Sequence, residues 1–226
     1  MTLPRTSNVR RKDTHRLIPS KYSDGGASVL TRIADDDAHL QEIFDLDNAT
    51  NDRLLAENNL LPGIGINELV FGIPHYRIVN ATFCHAHPLG SRLNGPDRGA
   101  WYAAFELRTA QAEVAFHKAV ELAETGWFEE EITYDDYLAD FSAAFHDIRN
   151  DPRFADCLAP DSYVRSQDLA QELLDAGSLG LVYSSVRRRG GTCVACFRPP
   201  LVMNVRKDKT YRFVWKGRPK PEISVS

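Results

Sequence analysis

The chain has 226 residues, of which 43% are hydrophobic and 26% charged, and its formal net charge is −4. Those totals suit a globular protein with one sizeable core, and they exclude the overall basic footprint of a protein built to grip duplex DNA. No run of 18 or more apolar residues occurs, so no membrane-spanning helix is expected.

Residues 1–28 are polar and basic, end in Ser-Asp-Gly-Gly-Ala-Ser, and lack the apolar stretch of a secretory signal. The pattern predicts a poorly ordered terminus on a cytoplasmic protein. Over 29–61, Leu40, Ile43 and Phe44 stand at helical spacing, and Leu54 and Leu55 begin a second apolar group. One or two helices are predicted there, stopped by Pro62-Gly63. Gly63-Ile-Gly65 lacks the third glycine and the Lys-Ser/Thr of a nucleotide-binding loop.

Residues 75–85, His-Tyr-Arg-Ile-Val-Asn-Ala-Thr-Phe-Cys-His, have the β-branched and aromatic content of a strand. Residues 88–99 read as a loop dense in Gly, Pro, Asn and Asp, and 100–107 as a second strand. A helix is predicted over 109–126, with Thr109 as N-cap and Gly126 as stop. Residues 130–149 fit strand and helix alike, and 166–177 form a helix bounded by Ser166 and Gly177. Strands 179–186 and 192–198 flank Arg-Arg-Arg-Gly-Gly, and a last strand covers 210–217. The fold class is α+β. The division is a flexible or helical N-terminal extension over 1–67, one domain with a mixed β-sheet core over 68–217, and a C-terminal tail over 218–226.

Four cysteines are too few for a disulfide framework in a chain this long. Cys193 and Cys196 form a C-x-x-C within a strand, where positions three apart face opposite sides, and no second pair completes a zinc site. His85 and His87 stand as a lone pair without a third ligand, so no metal is expected. The chain lacks a G-x-S-x-G elbow, a P-loop and a zinc helix.

What remains is a set of polar residues in apolar surroundings. Arg77 lies within a predicted strand, Arg92 in a loop, Tyr102 on the next strand and Glu113 in the first turn of the helix after it. Tyr183 and Ser185 share a strand face, with Arg187 just beyond. Each has a plain structural reading. Glu113 suits the helix macrodipole, Arg77 suits a sheet edge, and Arg188 and Arg189 suit a solvated turn. Together, Arg92, Tyr102 and Glu113 occupy one loop–strand–helix unit and are compatible with one cleft.

The stretches Tyr76-Arg-Ile, Ser91-Arg-Leu-Asn94, Tyr102, Thr109-Ala-Gln-Ala-Glu113 and Tyr183-Ser-Ser-Val-Arg187 resemble the RES-domain family, named for its Arg, Glu and Ser. The resemblance covers roughly residues 70–200. Two departures stand out. Leu93 replaces the usual aromatic of the arginine loop, and Ser185 follows Glu113 by 72 positions, which places extra length in 124–162. The family serine maps to Ser185 rather than Ser184, and the family arginine stays open between Arg92 and Arg77.

The resemblance implies a fold like that of ADP-ribosyltransferases and a toxin of a bacterial toxin–antitoxin pair that consumes NAD. It implies phosphorolysis, with NAD as substrate and inorganic phosphate as co-substrate, giving nicotinamide and ADP-ribose 1''-phosphate without a metal. Glu113, Arg92 and Ser185 are the implied catalytic residues, and Arg77, Tyr102, Tyr183 and Arg187 the implied substrate-binding ones. The expected partner is an antitoxin, a small helical protein; a homodimer is compatible, and nucleic acid and membrane are not expected partners. The alternatives are a protein ADP-ribosyltransferase or NAD glycohydrolase using the same cleft, and a non-catalytic nucleotide-binding module.

Overall fold

The computed structural model describes residues 3–23 and 62–226. Among these residues seven strands and three α-helices follow in chain order: β1 (Thr6–Pro19), α1 (Tyr76–Cys84), β2 (Trp101–Ala104), α2 (Leu107–Thr125), β3 (Glu129–Asp147), α3 (Val164–Asp175), β4 (Gly180–Ser184), β5 (Thr192–Cys196), β6 (Met203–Lys216) and β7 (Glu222–Val225). The sheet order is β1-β2-β5-β4-β3-β6-β7, and β1 also pairs with β3. Strands β1, β2, β5, β4 and β3 therefore close a ring, and β6 and β7 extend outward from β3. Among the described residues only β3–β4 is parallel, through His146↔Leu181 and Asp147↔Val182, with α3 in the crossover. The chain is thus α+β on a mixed sheet.

The ring divides two cores. One holds Leu93, Tyr134, Leu169, Leu181, Phe197 and Phe213. The other holds Val79, Phe83, Trp101, Phe141, Phe145 and Val194. Cys193 belongs to the first and Cys196 to the second, as opposite strand faces require. Gly180 packs closely against β5: its φ is +144°, and a Cβ there would meet the Ala195 carbonyl at 2.3 Å.

Three expectations change. First, residues 6–19 are a strand, not a disordered terminus: β1 pairs with β3 from Thr6↔His146 to Pro19↔Tyr134. Its apolar alternation is sparse because only Val9, Thr14 and Leu17 are buried, and a bulge between Arg11 and Thr14, with Asp13 at φ 55°, breaks the period. The helices expected over 29–61 lie outside the described residues. Second, 75–85 forms helix α1 rather than a strand. Ile78, Val79, Phe83 and Cys84 fall on one helical stripe against the second core, and that burial overrides β-branched propensity. Buried Asn80 fixes the helix by accepting from Val70 N at 3.1 Å and donating to Val70 O at 2.8 Å. Third, residues 222–225 of the expected tail add strand β7 to β6.

The ambiguous 130–149 segment is β3. Its middle, Tyr134 to Tyr137, is buried without interruption because both faces are covered, so its sequence carries no clean alternation. Among the described residues, no helix is long and apolar enough to cross a membrane.

Candidate active-site cleft

Helix α2 sets the site. Its N-cap is Glu106, not Thr109, and Gly126 ends it at φ 66°. Thr109 lies three residues further in, fully buried, donating its hydroxyl to Glu106 Oε2 at 2.7 Å. Glu113 therefore occupies the second turn rather than the first, and Phe116, His117 and Val120 follow it along one helix face, at offsets that share a surface. All four line a cleft of about 1140 Å³ that also meets Arg92, Tyr102, Tyr183 and Arg187.

At the cleft, Ser185 Oγ donates to Glu113 Oε1 at 2.6 Å. The same Oγ accepts from the backbone N–H groups of Arg187 at 3.1 Å and Arg188 at 3.0 Å. Ser184, in contrast, ends β4 in register with Thr192. The turn beginning at Ser185 thus uses one hydroxyl to close itself and to hold the helix carboxylate. Ser185 is not itself among the lining residues; Glu113 is. Beneath them, Tyr183 is buried, and that burial raises its pKa well above the ordinary phenol value. Burial likewise pushes the thiol of Cys193, its register partner on β5, upward.

Tyr102 has its hydroxyl committed. It accepts from Leu93 N at 2.8 Å and donates to Asn94 Oδ1 at 2.8 Å, so it ties down the loop that carries Arg92. Arg92 is 8% exposed and donates through Nη1 to Cys157 O at 3.1 Å and Ala159 O at 2.9 Å. Its guanidinium stands 4.7 Å from the Tyr163 ring centre. Arg187 lies over the Phe116 ring at 3.3 Å and donates to Pro160 O at 2.6 Å.

Arg77 is not brought to this site. It stands on the exposed side of α1, over Tyr76, and does not line the cleft, because α1 packs on the second core. Arg188, expected to be solvated, donates Nη1 to Thr109 Oγ1 at 3.0 Å and so clamps the start of α2. Of the histidine pair, His85 caps the end of α1, and His87 lines the cleft from the following loop.

Among the lining residues that sequence reasoning missed are one histidine on α2 and two side chains from β1. His117 follows Glu113 by four positions, a spacing that was legible. Burial lowers its pKa, Glu113 opposes the shift, and Arg187 and Arg92 add to it. Arg16 and His15 come from β1, which the polar N-terminus concealed. Arg16 donates to Tyr102 O at 3.0 Å, faces Trp101 at 5.0 Å, and borders both the cleft and an adjoining cavity of about 250 Å³. Burial lowers its pKa to about 10. His15 Nδ1 lies 2.8 Å from Oδ2 of fully buried Asp136. The site is thus a carboxylate held by a serine, with three arginines nearby. Among the described residues, no group of three or more His, Cys, Asp or Glu side chains is placed to hold a metal ion.

A family model described as the RES domain matches residues 69–216. Among solved structures, the chain is similar to one in the M. tuberculosis MbcT–MbcA toxin–antitoxin complex, with 14% identity and a TM-score of 0.43, covering 54% of this chain and 71% of that one. No curated protein gives a match.

Proposed function

Since the chain belongs to the RES-domain family, we propose that it is an NAD-cleaving toxin of a toxin–antitoxin pair and that it works by phosphorolysis. The observation that carries this reading is the Ser185–Glu113 hydrogen bond at a cleft bordered by Arg92, Arg187 and Arg16. Cleaving the nicotinamide–ribose bond builds positive charge at the ribose, as at a glycoside. A preorganised carboxylate is the group that stabilises such charge. Ser185 fixes the rotamer of Glu113, and the Ser185 hydroxyl is itself fixed by two backbone amides. The arginines supply planar forks suited to a pyrophosphate and to an attacking phosphate. Phosphate oxygen bonds to the ribose carbon as the carbon–nitrogen bond breaks, and the bonding pair leaves with neutral nicotinamide. Tyr102, with its hydroxyl engaged, holds the Arg92 loop. Tyr183 forms the buried floor. The likeness to ADP-ribosyltransferases belongs to this reading too.

The same reading includes a partner antitoxin. Leu89, Val120 and Val164 line the cleft yet are 80%, 48% and 64% exposed, giving its mouth an apolar rim for a partner to cover.

The test is incubation of the purified protein with NAD, with and without millimolar-scale phosphate, resolving products by NMR beside Glu113→Ala. Phosphate-dependent release of nicotinamide with a 1''-phosphorylated ADP-ribose, lost in the variant, is expected. Phosphate-independent release would move the assignment to glycohydrolase or transferase. Absence of release in every condition would overturn it.

A further inference from the structure

Two of the cleft arginines, Arg92 and Arg187, are tethered to one short stretch of backbone. Arg92 reaches the carbonyls of Cys157 and Ala159, and Arg187 that of Pro160. Tyr163, a few residues on, faces the Arg92 guanidinium. The stretch begins in the last turn of a 3-10 segment, Pro152–Leu158, that is itself anchored at two points. Phe154 and Cys157 are buried in the first core. At its start the Asp151 carboxylate accepts from Arg153 N at 3.1 Å. Pro160 and Tyr163 then line the cleft.

The pattern of donors shows what the tethers do. Arg92 spends only Nη1 on the carbonyls. No described residue bonds its Nε–Nη2 edge, the edge that takes an oxyanion side-on. Arg187 spends only Nη2 on Pro160, and its Nε is buried with no partner among the described residues. A segment that blocked the site would consume the whole fork. This one fixes each guanidinium by a single nitrogen, and no described residue takes the Nε–Nη2 edge of Arg92 or Nη1 of Arg187. Holding a long side chain in place beforehand removes an ordering cost that binding would otherwise carry.

We propose that residues 151–163 form a positioning strap, in which backbone carbonyls of 157–160 hold Arg92 and Arg187 ready for the phosphates of a dinucleotide. This rests on reading the cleft as an NAD site. Asp151 and Pro160 are positioning residues: Asp151 through the start of the strap, Pro160 through its stiffness.

The experiment compares wild type with Asp151→Ala, Asp151→Asn and Pro160→Gly. It measures three quantities: the NMR mobility of the Arg92 and Arg187 Nε–H groups without ligand, the affinity for ADP-ribose by calorimetry, and KM and kcat for nicotinamide release. Asp151→Ala and Pro160→Gly are expected to free both guanidinium groups. They should weaken ADP-ribose and raise KM about tenfold, with kcat within about threefold. Asp151→Asn keeps an oxygen for Arg153 N and is expected to restore wild-type behaviour. Guanidinium groups as rigid in the two loosened variants as in wild type would overturn the strap, and so would unchanged ADP-ribose affinity once binding by wild type is seen. Guanidinium groups freed by the variants in a protein that binds no ADP-ribose would support the strap and overturn the NAD reading instead.

Discussion

Glu113 and Ser185 are 72 residues apart in sequence and 2.6 Å apart in space. At that distance the serine is a clamp on the carboxylate, since its hydroxyl proton is already given to Glu113. Two predictions belong to this pair. Glu113→Gln keeps the shape but removes the charge, so nicotinamide release should fall at least about 100-fold in kcat while the melting temperature stays near wild type. Ser185→Ala leaves Glu113 unclamped and two turn amides without their acceptor. A loss of about tenfold in kcat, with a stability cost of about 1–3 kcal/mol, is expected in kinetics and denaturant melts. Residue types at these positions were readable from sequence. The place of Arg77 was not, because "Tyr-Arg-Ile" looks the same in a strand as in a helix until a partner core selects the period.

At the scale of elements, α1 and β1 depart furthest from their local sequence, for opposite reasons. In α1 the local preference pointed to strand and the tertiary stripe of Ile78, Val79 and Phe83 prevailed. In β1 there was too little local preference, and a long partner, β3, supplied the pairing. Asn80→Ala should cost about 1–3 kcal/mol, because it leaves Val70 N and O without their side-chain partner, and chemical denaturation would read this directly. Deletion of residues 1–19 should remove Arg16, His15 and the closing edge of the ring together, and so lower the melting temperature. A truncated protein that melts at the wild-type temperature would show that β1 does not hold the ring closed. Helices α2 and α3 and the β4–β5 hairpin were legible, since strong periodicity and Gly126 and Gly177 marked them.

For the whole molecule, one cluster links the segment before α1 to the sheet. Glu68 pairs with Arg98 at 2.8 Å and Arg198 at 2.9 Å, and Arg98 also donates to Gly63 O and Phe197 O. The Arg98 hydrogen bond chiefly holds the Glu68 carboxyl at about 2, below its usual 4.5. A carboxylate depressed on folding adds stability that is fully present above its unfolded value and lost as pH falls through the folded one. Acid unfolding of wild type should therefore steepen between about pH 4.5 and 2, and Glu68→Gln should flatten that limb in pH-dependent melts.

The sequence by itself determined which side chains the local elements carry: Glu113 on a helix, Ser185 at a strand and Arg92 and Arg187 in a loop and a turn, although it put Ser185 within the strand that ends at Ser184. These follow from local rules, since helical and strand periods and turn glycines act over a few residues. The tertiary structure alone decided which arginines share the cleft, that the N-terminal strand closes the ring, and that one hydroxyl joins Ser185 to Glu113. Those outcomes depend on which faces are buried against each other, and burial is a property of the packed chain rather than of any window along it.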